Sequence, residues 1–191
     1  SSWIEERVKS LGYHTDPRTA SILAEYLGND LGKIENELGK LFIDLKKGEA
    51  ITPELIERNI GISKDYNIFE LQKAIINRDV AKANKIVLHF AKNQKEHPIQ
   101  MVLPTLQGYF YKIILLQYLQ KRNRGGEAAK VLKVNPYFIK DYQLGARTFS
   151  EKKLKAIFRY LREADVKSKG VDNPGTDSGE LLKELIFKIL Y

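Results

Sequence analysis

The chain of 191 residues contains no cysteine. Disulfides, thiolate metal sites and thiol nucleophiles are therefore excluded together. That absence fits a reducing compartment, and the expected address is the cytoplasm. No apolar run approaches the ~20 residues needed to cross a bilayer. No signal-peptide pattern opens the chain, and no membrane partner is expected. Histidine is scarce: His14, His89 and His97 stand far apart, without the HExxH or paired-ligand spacing of a metal site. Each is expected at a surface or a helix cap. No G-x-S-x-G elbow occurs. The carboxylate pairs Glu5/Glu6 and Glu35/Glu37 fall on faces expected to be exposed. These absences describe a non-catalytic chain, with no catalytic residue, cofactor or metal expected.

One stretch imitates an enzyme motif. Gly28-Asn29-Asp30-Leu31-Gly32-Lys33-Ile34 resembles a phosphate loop, but it has three residues between its glycines where the motif needs four. Ile34 stands where a magnesium-binding hydroxyl belongs, and the residues before Gly28 carry a helical pattern instead of a strand. The stretch reads as a corner between helices. Asn29 or Asp30 is placed to cap, Gly28 to supply backbone freedom, and Lys33 to face water.

What is present is charge and helix. Net charge is +8, and it is unevenly spread. Ser1 to Tyr66 carries 9 basic and 12 acidic residues, a net of −3, whereas Asn67 to Tyr191 carries 23 and 12, a net of +11. Such asymmetry suggests two domains, or one domain with an acidic partner.

Nearly every segment reads as amphipathic helix, and none alternates with the period of a strand. An all-α fold is expected. A first helix, Trp3 to Leu11, places Trp3, Ile4, Val8 and Leu11 on one side. Asp16-Pro17 starts a second, which ends near Leu27. In the third, Leu31, Ile34, Leu38, Leu41, Phe42 and Leu45 form one stripe. Thr52-Pro53-Glu54 opens a fourth, and Gly61 stops it. Residues 1–63 are thus expected to be a small unit of about four short helices, and residues 64–191 a bundle of longer ones. In the second part, Asn67 is placed to cap a helix that turns at Asn77-Arg78-Asp79 into a hairpin. His97-Pro98 precedes the longest helix, Ile99 to Lys121, which is apolar over more than half its circumference and so expected to be central. Pro104 near its start is tolerable or kinks it. Short helices follow over Ala128 to Leu132 and from Asn135-Pro136 through Gly145. Ser150 opens another, the flexible Gly170–Gly179 loop comes next, and Ser178 begins the last.

The basic and aromatic residues of this second part are the candidate site. Lys121, Arg122 and Arg124 close the longest helix, with Tyr109, Tyr111 and Tyr118 upstream, the composition of a nucleic-acid surface. Tyr109, however, falls in the core stripe, and its neighbours are expected to pack in the same way. Lys152, Lys153, Lys155, Arg159 and Arg162 give a later helix a basic face. These eight cations are candidate DNA- or partner-facing residues, weighed against a plain solvated surface.

Several stretches follow one another in a familiar order. They are Leu27 to Leu31 with Ile34 to Leu41, Ile51-Thr52-Pro53, and Asn67 to Leu71. Near the end come Asn135-Pro136-Tyr137, Ala146 to Ser150 and Ala164 to Gly170. In this order the chain resembles the delta subunit of the bacterial DNA polymerase III clamp loader. The resemblance implies a helical lid domain over 1–63 and a helical collar domain over 64–191, with the family's AAA+-like first domain outside this chain. It also implies a non-catalytic role in DNA replication, supporting the loading of a sliding clamp onto primed DNA, without ATPase activity of its own. The implied partners are other loader subunits through the collar, the clamp through that first domain, and DNA in the assembled complex. The alternative is a free-standing basic helical protein that binds nucleic acid.

Overall fold

The computed structural model describes residues 2–27, 30–171 and 175–191. It is all-α apart from one short ladder, with eleven α-helices among the described residues. The chain divides into two compact units, Ser1–Asn67 and Ile68–Tyr191.

The first unit holds α1 (Ser2–Ser10), α2 (Pro17–Leu27), α3 (Leu31–Ile43) and α4 (Pro53–Ile60). Side-chain oxygens begin three of them, each satisfying amide groups that a helix start leaves unpaired. Asp16 accepts from the amides of Arg18 and Thr19 at 2.8 and 2.9 Å. Asp30 accepts from Lys33 N at 3.1 Å, and Thr52 from Leu55 N at 3.3 Å. Gly61, at φ 83°, ends α4 in the left-handed conformation that glycine adopts without strain. The GNDLGKI stretch is therefore a helix start at Asp30, with Lys33 exposed. Gly28 and Asn29, the other residues expected to shape that corner, lie outside the described residues.

Ile4, Val8, Leu23, Ile34, Leu38, Leu41, Ile51 and Ile56 are buried in this unit. Two expectations for its faces fail. Trp3 is 39% exposed and Leu31 54%, because the i, i+4 rows Ile4–Val8 and Ile34–Leu38 set the buried faces and leave these neighbours at the edge. Glu35 is not a lone surface acid: Arg7 donates to it twice, at 2.5 and 3.1 Å. One carboxylate oxygen of Glu5 is buried, where an exposed face was expected.

A strand pair, which the sequence pattern did not suggest, joins β1 (His14–Thr15) to β2 (Ala50–Ile51) in parallel. Two residues are too few to show a two-residue period. The link after α4 folds back on itself. Ser63 Oγ accepts from the amides of Asp65 and Tyr66, and the buried Asn67 donates its amide to the carbonyls of Ser63 and Lys64.

The second unit is built around α7 (Ile99–Lys121), a helix of 23 residues and so ~34 Å long. Against it pack α5 (Ile68–Ile76), α9 (Ile139–Thr148), α10 (Glu151–Ser168) and α11 (Ser178–Leu190), with α8 (Ala128–Leu132) near its end. α6 (Val80–Lys92) forms a hairpin with α5 and packs on α11. The hairpin turns through Arg78 at φ 54°, Asp79 caps α6 through Lys82 N, and the buried Glu70 of α5 pairs with the Lys82 ammonium.

Two glycines mark where helices touch most closely. A Cβ on Gly145 of α9 would stand 2.7 Å from Ile113 Cδ1, and one on Gly179 of α11 would stand 3.0 Å from the Cα of Ala91. Gly145 is thus a packing position and not the expected helix end, which comes at Thr148. At that end, Gln117 of α7 donates to the carbonyls of Ala146 and Phe149 at 2.9 and 2.7 Å. The last helix begins at Ser178, as expected, with Asp177 as its cap, and residues 172–174 of the preceding loop lie outside the described residues.

His89 and His97, eight residues apart in sequence, meet in space. The His97 ring stacks on Phe90 with centroids 4.0 Å apart and meets His89 edge-on at 5.7 Å. Burial, aided by the neighbouring His89, pushes His97 down to about 4.

Candidate functional site

Two of the cations singled out from sequence, Lys121 and Lys155, come together where the C-terminus of α7 meets the N-terminus of α10. Ser150 caps α10 by accepting from Lys153 N at 3.2 Å, which fixes where that helix begins. Glu151 then receives Lys121 at 2.8 Å and Lys155 at 3.2 Å. Hydrogen bonds from these two ammonium groups hold the Glu151 carboxyl below the usual carboxylate range.

The remaining candidates differ in what they touch. Arg124 is clamped by Glu127 through two hydrogen bonds of 2.9 and 2.7 Å, raising the guanidinium and lowering the carboxyl. Arg159 lies 3.7 Å from Glu163 and over the Tyr160 ring. Lys153 donates to the Lys188 carbonyl of α11 at 2.9 Å, so its ammonium ties two helices together. Arg122 lies over the exposed Tyr118 ring, 4.5 Å from its centroid. Lys152 and Arg162 are exposed, with no acidic side chain within ion-pair distance among the described residues. Among the described residues the arrangement offers hydrogen-bond donors and positive potential, which attract anionic groups.

Of the aromatic residues, Tyr109 lies in the core as expected, whereas Tyr111 and Tyr118 do not. Tyr109 is buried against Tyr142 at 5.1 Å, and burial pushes its hydroxyl well above the ordinary phenol range. Tyr111 and Tyr118, expected to pack in the same way, are 57% and 46% exposed. They lie on the side of α7 opposite the buried row Val102, Leu106, Tyr109, Ile113 and Leu116. The signal was present in the spacing. Met101, Pro104, Gly108, Tyr111, Leu115, Tyr118 and Arg122 recur at intervals of three and four residues, a second helical row on the same helix. Further exposed cations, Lys130, Lys133, Lys140 and Arg147, continue the basic surface over α8 and α9. The charge surplus of the second part already pointed to them.

Residues 65–188 match the family described as "DNA polymerase III delta subunit, C-terminal domain". A curated relative, DNA polymerase III subunit delta of Bacillus subtilis (strain 168), is 30% identical over 167 residues, covering 87% of this chain and 46% of the relative. The solved structure of the Bacillus subtilis DNA clamp loader delta protein resembles this one with a TM-score of 0.65 at 26% identity, covering 99% of this chain and 55% of that one. The chain spans about half the length of these relatives. The match over the helical second unit, carried on through the first by the structural likeness, shows that the chain belongs to the DNA polymerase III delta-subunit family.

Proposed function

We propose that this chain is a non-catalytic assembly part of a DNA clamp loader, supporting the loading of a sliding clamp onto primed DNA. In this reading residues 1–63 are the lid of an AAA+-like module and residues 64–191 are a collar that packs with other loader subunits. It carries no ATPase activity of its own. The observation that supports this best is the family match over residues 65–188, which falls almost wholly on the second helical unit. Light-scattering chromatography of the chain, alone and with the loader's ATPase subunits from the same organism, tests it. Co-elution at a defined stoichiometry is the expected result. Separate elution well above micromolar concentration would remove the assembly role.

Direct contact with DNA is a second reading, favoured by the uncompensated Lys152 and Arg162. If α10 touches phosphates, Lys152→Glu with Arg162→Glu weakens primer-template binding by the assembled loader. It also lowers the salt dependence by roughly one to two ions. Lys153 is a poor choice for that test, because its ammonium holds α11. Unchanged binding and an unchanged salt slope would leave α10 as a solvated face.

A further inference from the structure

We propose that the solvent face of α7 is a docking seam for one amphipathic helix of a neighbouring loader subunit, a helix with an apolar stripe flanked by acidic residues. The proposal rests on the reading of the chain as an assembly part and names where, and to what, it binds.

A surface helix ordinarily turns polar residues away from its core. α7 turns only some: beside the exposed Gln100, Gln107, Gln120 and Lys121 it also exposes Met101, Pro104, Tyr111 and Tyr118. Opposite its buried row it carries Met101, Gly108 and Leu115 in one line, Leu115 being partly buried against the core, and Pro104, Tyr111 and Tyr118 in the other, ending at Arg122. Met101, Tyr111 and Tyr118 are each about half exposed or more. The alternation of three and four residues runs through three full heptads, the spacing that keeps one helix aligned along another. At its centre a Cβ on Gly108 would have no atom within 4 Å. That leaves the backbone at Gly108 open to solvent, so a partner's apolar side chain can approach it closely.

Charge narrows the occupant. None of the 23 residues of α7 is acidic. In heptad terms the exposed Lys121 stands at a flanking position, where pairing charges set the choice of partner. The Lys121 ammonium already holds the carboxylate of Glu151, which is the charge this flank accepts. A second copy would set one basic flank against another.

Size narrows it further. From Met101 to Arg122 the seam is ~32 Å long, and about 10 Å wide it covers on the order of 300 Å². A self-sufficient interface needs about 800 Å² from each partner. The seam therefore suits a helix held by other contacts too, as in a multi-subunit assembly, and not a stand-alone pair of copies.

Sedimentation and titration of the chain with purified loader subunits test the assignment. Two seam variants are used, Gly108→Gln and the pair Tyr111→Lys with Tyr118→Lys. The pair Phe187→Lys with Tyr191→Lys, at the other exposed aromatic contact, is the control. The wild type is expected to be monomeric alone and to bind a loader subunit. Both seam variants are expected to bind at least tenfold more weakly, and the control within twofold of wild type. Gly108→Gln should melt no lower than wild type, since it replaces a helix-interior glycine in open space, so its loss of affinity cannot be loss of fold. Wild-type affinity in the seam variants overturns the proposal while leaving the assembly role standing. A wild type that binds no loader subunit removes both. A wild-type dimer that the tyrosine pair abolishes overturns the choice of occupant in favour of a second copy.

Discussion

Substituting alanine at Gly179 should destabilise the second unit, whereas the same change at Gly108 should stabilise it. A Cβ at Gly179 would lie 2.8 Å from Ala91 Cβ and 3.0 Å from Ala91 Cα, where ordinary carbon contacts are about 3.5–4.0 Å. Neither atom of Ala91 can rotate away, so α6 and α11 must part. Overpacking of this kind costs about 1–3 kcal/mol. The new methyl also crowds the Asp177 carboxylate, 2.8 Å away, which caps the helix through Gly179 N; a weakened cap adds up to ~1 kcal/mol. Alanine's helix preference returns at most ~1 kcal/mol. The net loss is about 1–3 kcal/mol, a fall in Tm of roughly 4–12 °C for a unit of this size. Gly108→Ala meets nothing and keeps the whole preference, a gain of about 0.5–1 kcal/mol. Thermal and urea unfolding followed by far-UV circular dichroism measures both. If the two variants move in the same direction, close approach of α6 and α11 is not what holds Gly179.

The chain should lose stability on mild acidification through His97. Its native value of about 4 lies below the ordinary 6.5, so the unfolded chain takes up the proton first as pH falls. This contribution is complete above pH 6.5 and drains away towards pH 4, by about 1–2 kcal/mol once allowance is made for its half-exposed ring. Urea midpoints at pH 7 and 4.5 should differ accordingly, and His97→Phe should shrink the difference. Gln117→Leu leaves the Ala146 and Phe149 carbonyls without their side-chain donor and should cost about 1–3 kcal/mol, read as a lower urea midpoint. Lys82→Met removes the ammonium that pairs with the buried Glu70 carboxylate and should cost a similar ~1–3 kcal/mol. A loss below ~0.5 kcal/mol would mean that Glu70 is satisfied without it.

Helix starts were legible in the sequence because their chemistry is local. Asp16, Asp30, Thr52 and Ser150 each cap through an amide two or three residues ahead. Faces were less legible. On short helices such as α1, one residue of rotation separates buried Ile4 from half-exposed Trp3. Gly145 looked like a stop because a glycine that ends a helix and one that admits a neighbour are the same letter; only Ile113 on another helix tells them apart. The candidate site shows the same limit. The basic character of α7's end and of α10 was plain from composition, but the engagement of Lys153 by a carbonyl 35 residues away was not. On α7 the core stripe through Tyr109 was legible, but that Tyr111 and Tyr118 stay exposed on a second row was not.

The parallel ladder of the first unit sets the order in which that unit is assembled. It joins His14 to Ala50 and Thr15 to Ile51, and the amide of Gly48 adds a bond to the Gly12 carbonyl at 2.8 Å. Everything from Asp16 to Glu49, both α2 and α3, is enclosed by this clasp. Its few hydrogen bonds are too weak to offset the entropy of closing so long a segment by themselves. The two helices must therefore pair before the clasp can shut, and the clasp opens ahead of them. In hydrogen exchange the amides of His14 and Gly48 should be released by a small local opening, while those of Leu38 and Leu41 wait for the whole unit to unfold. The ladder is thus a latch on a helix pair that forms without it, and losing it should speed the opening of the first unit more than it slows its closing.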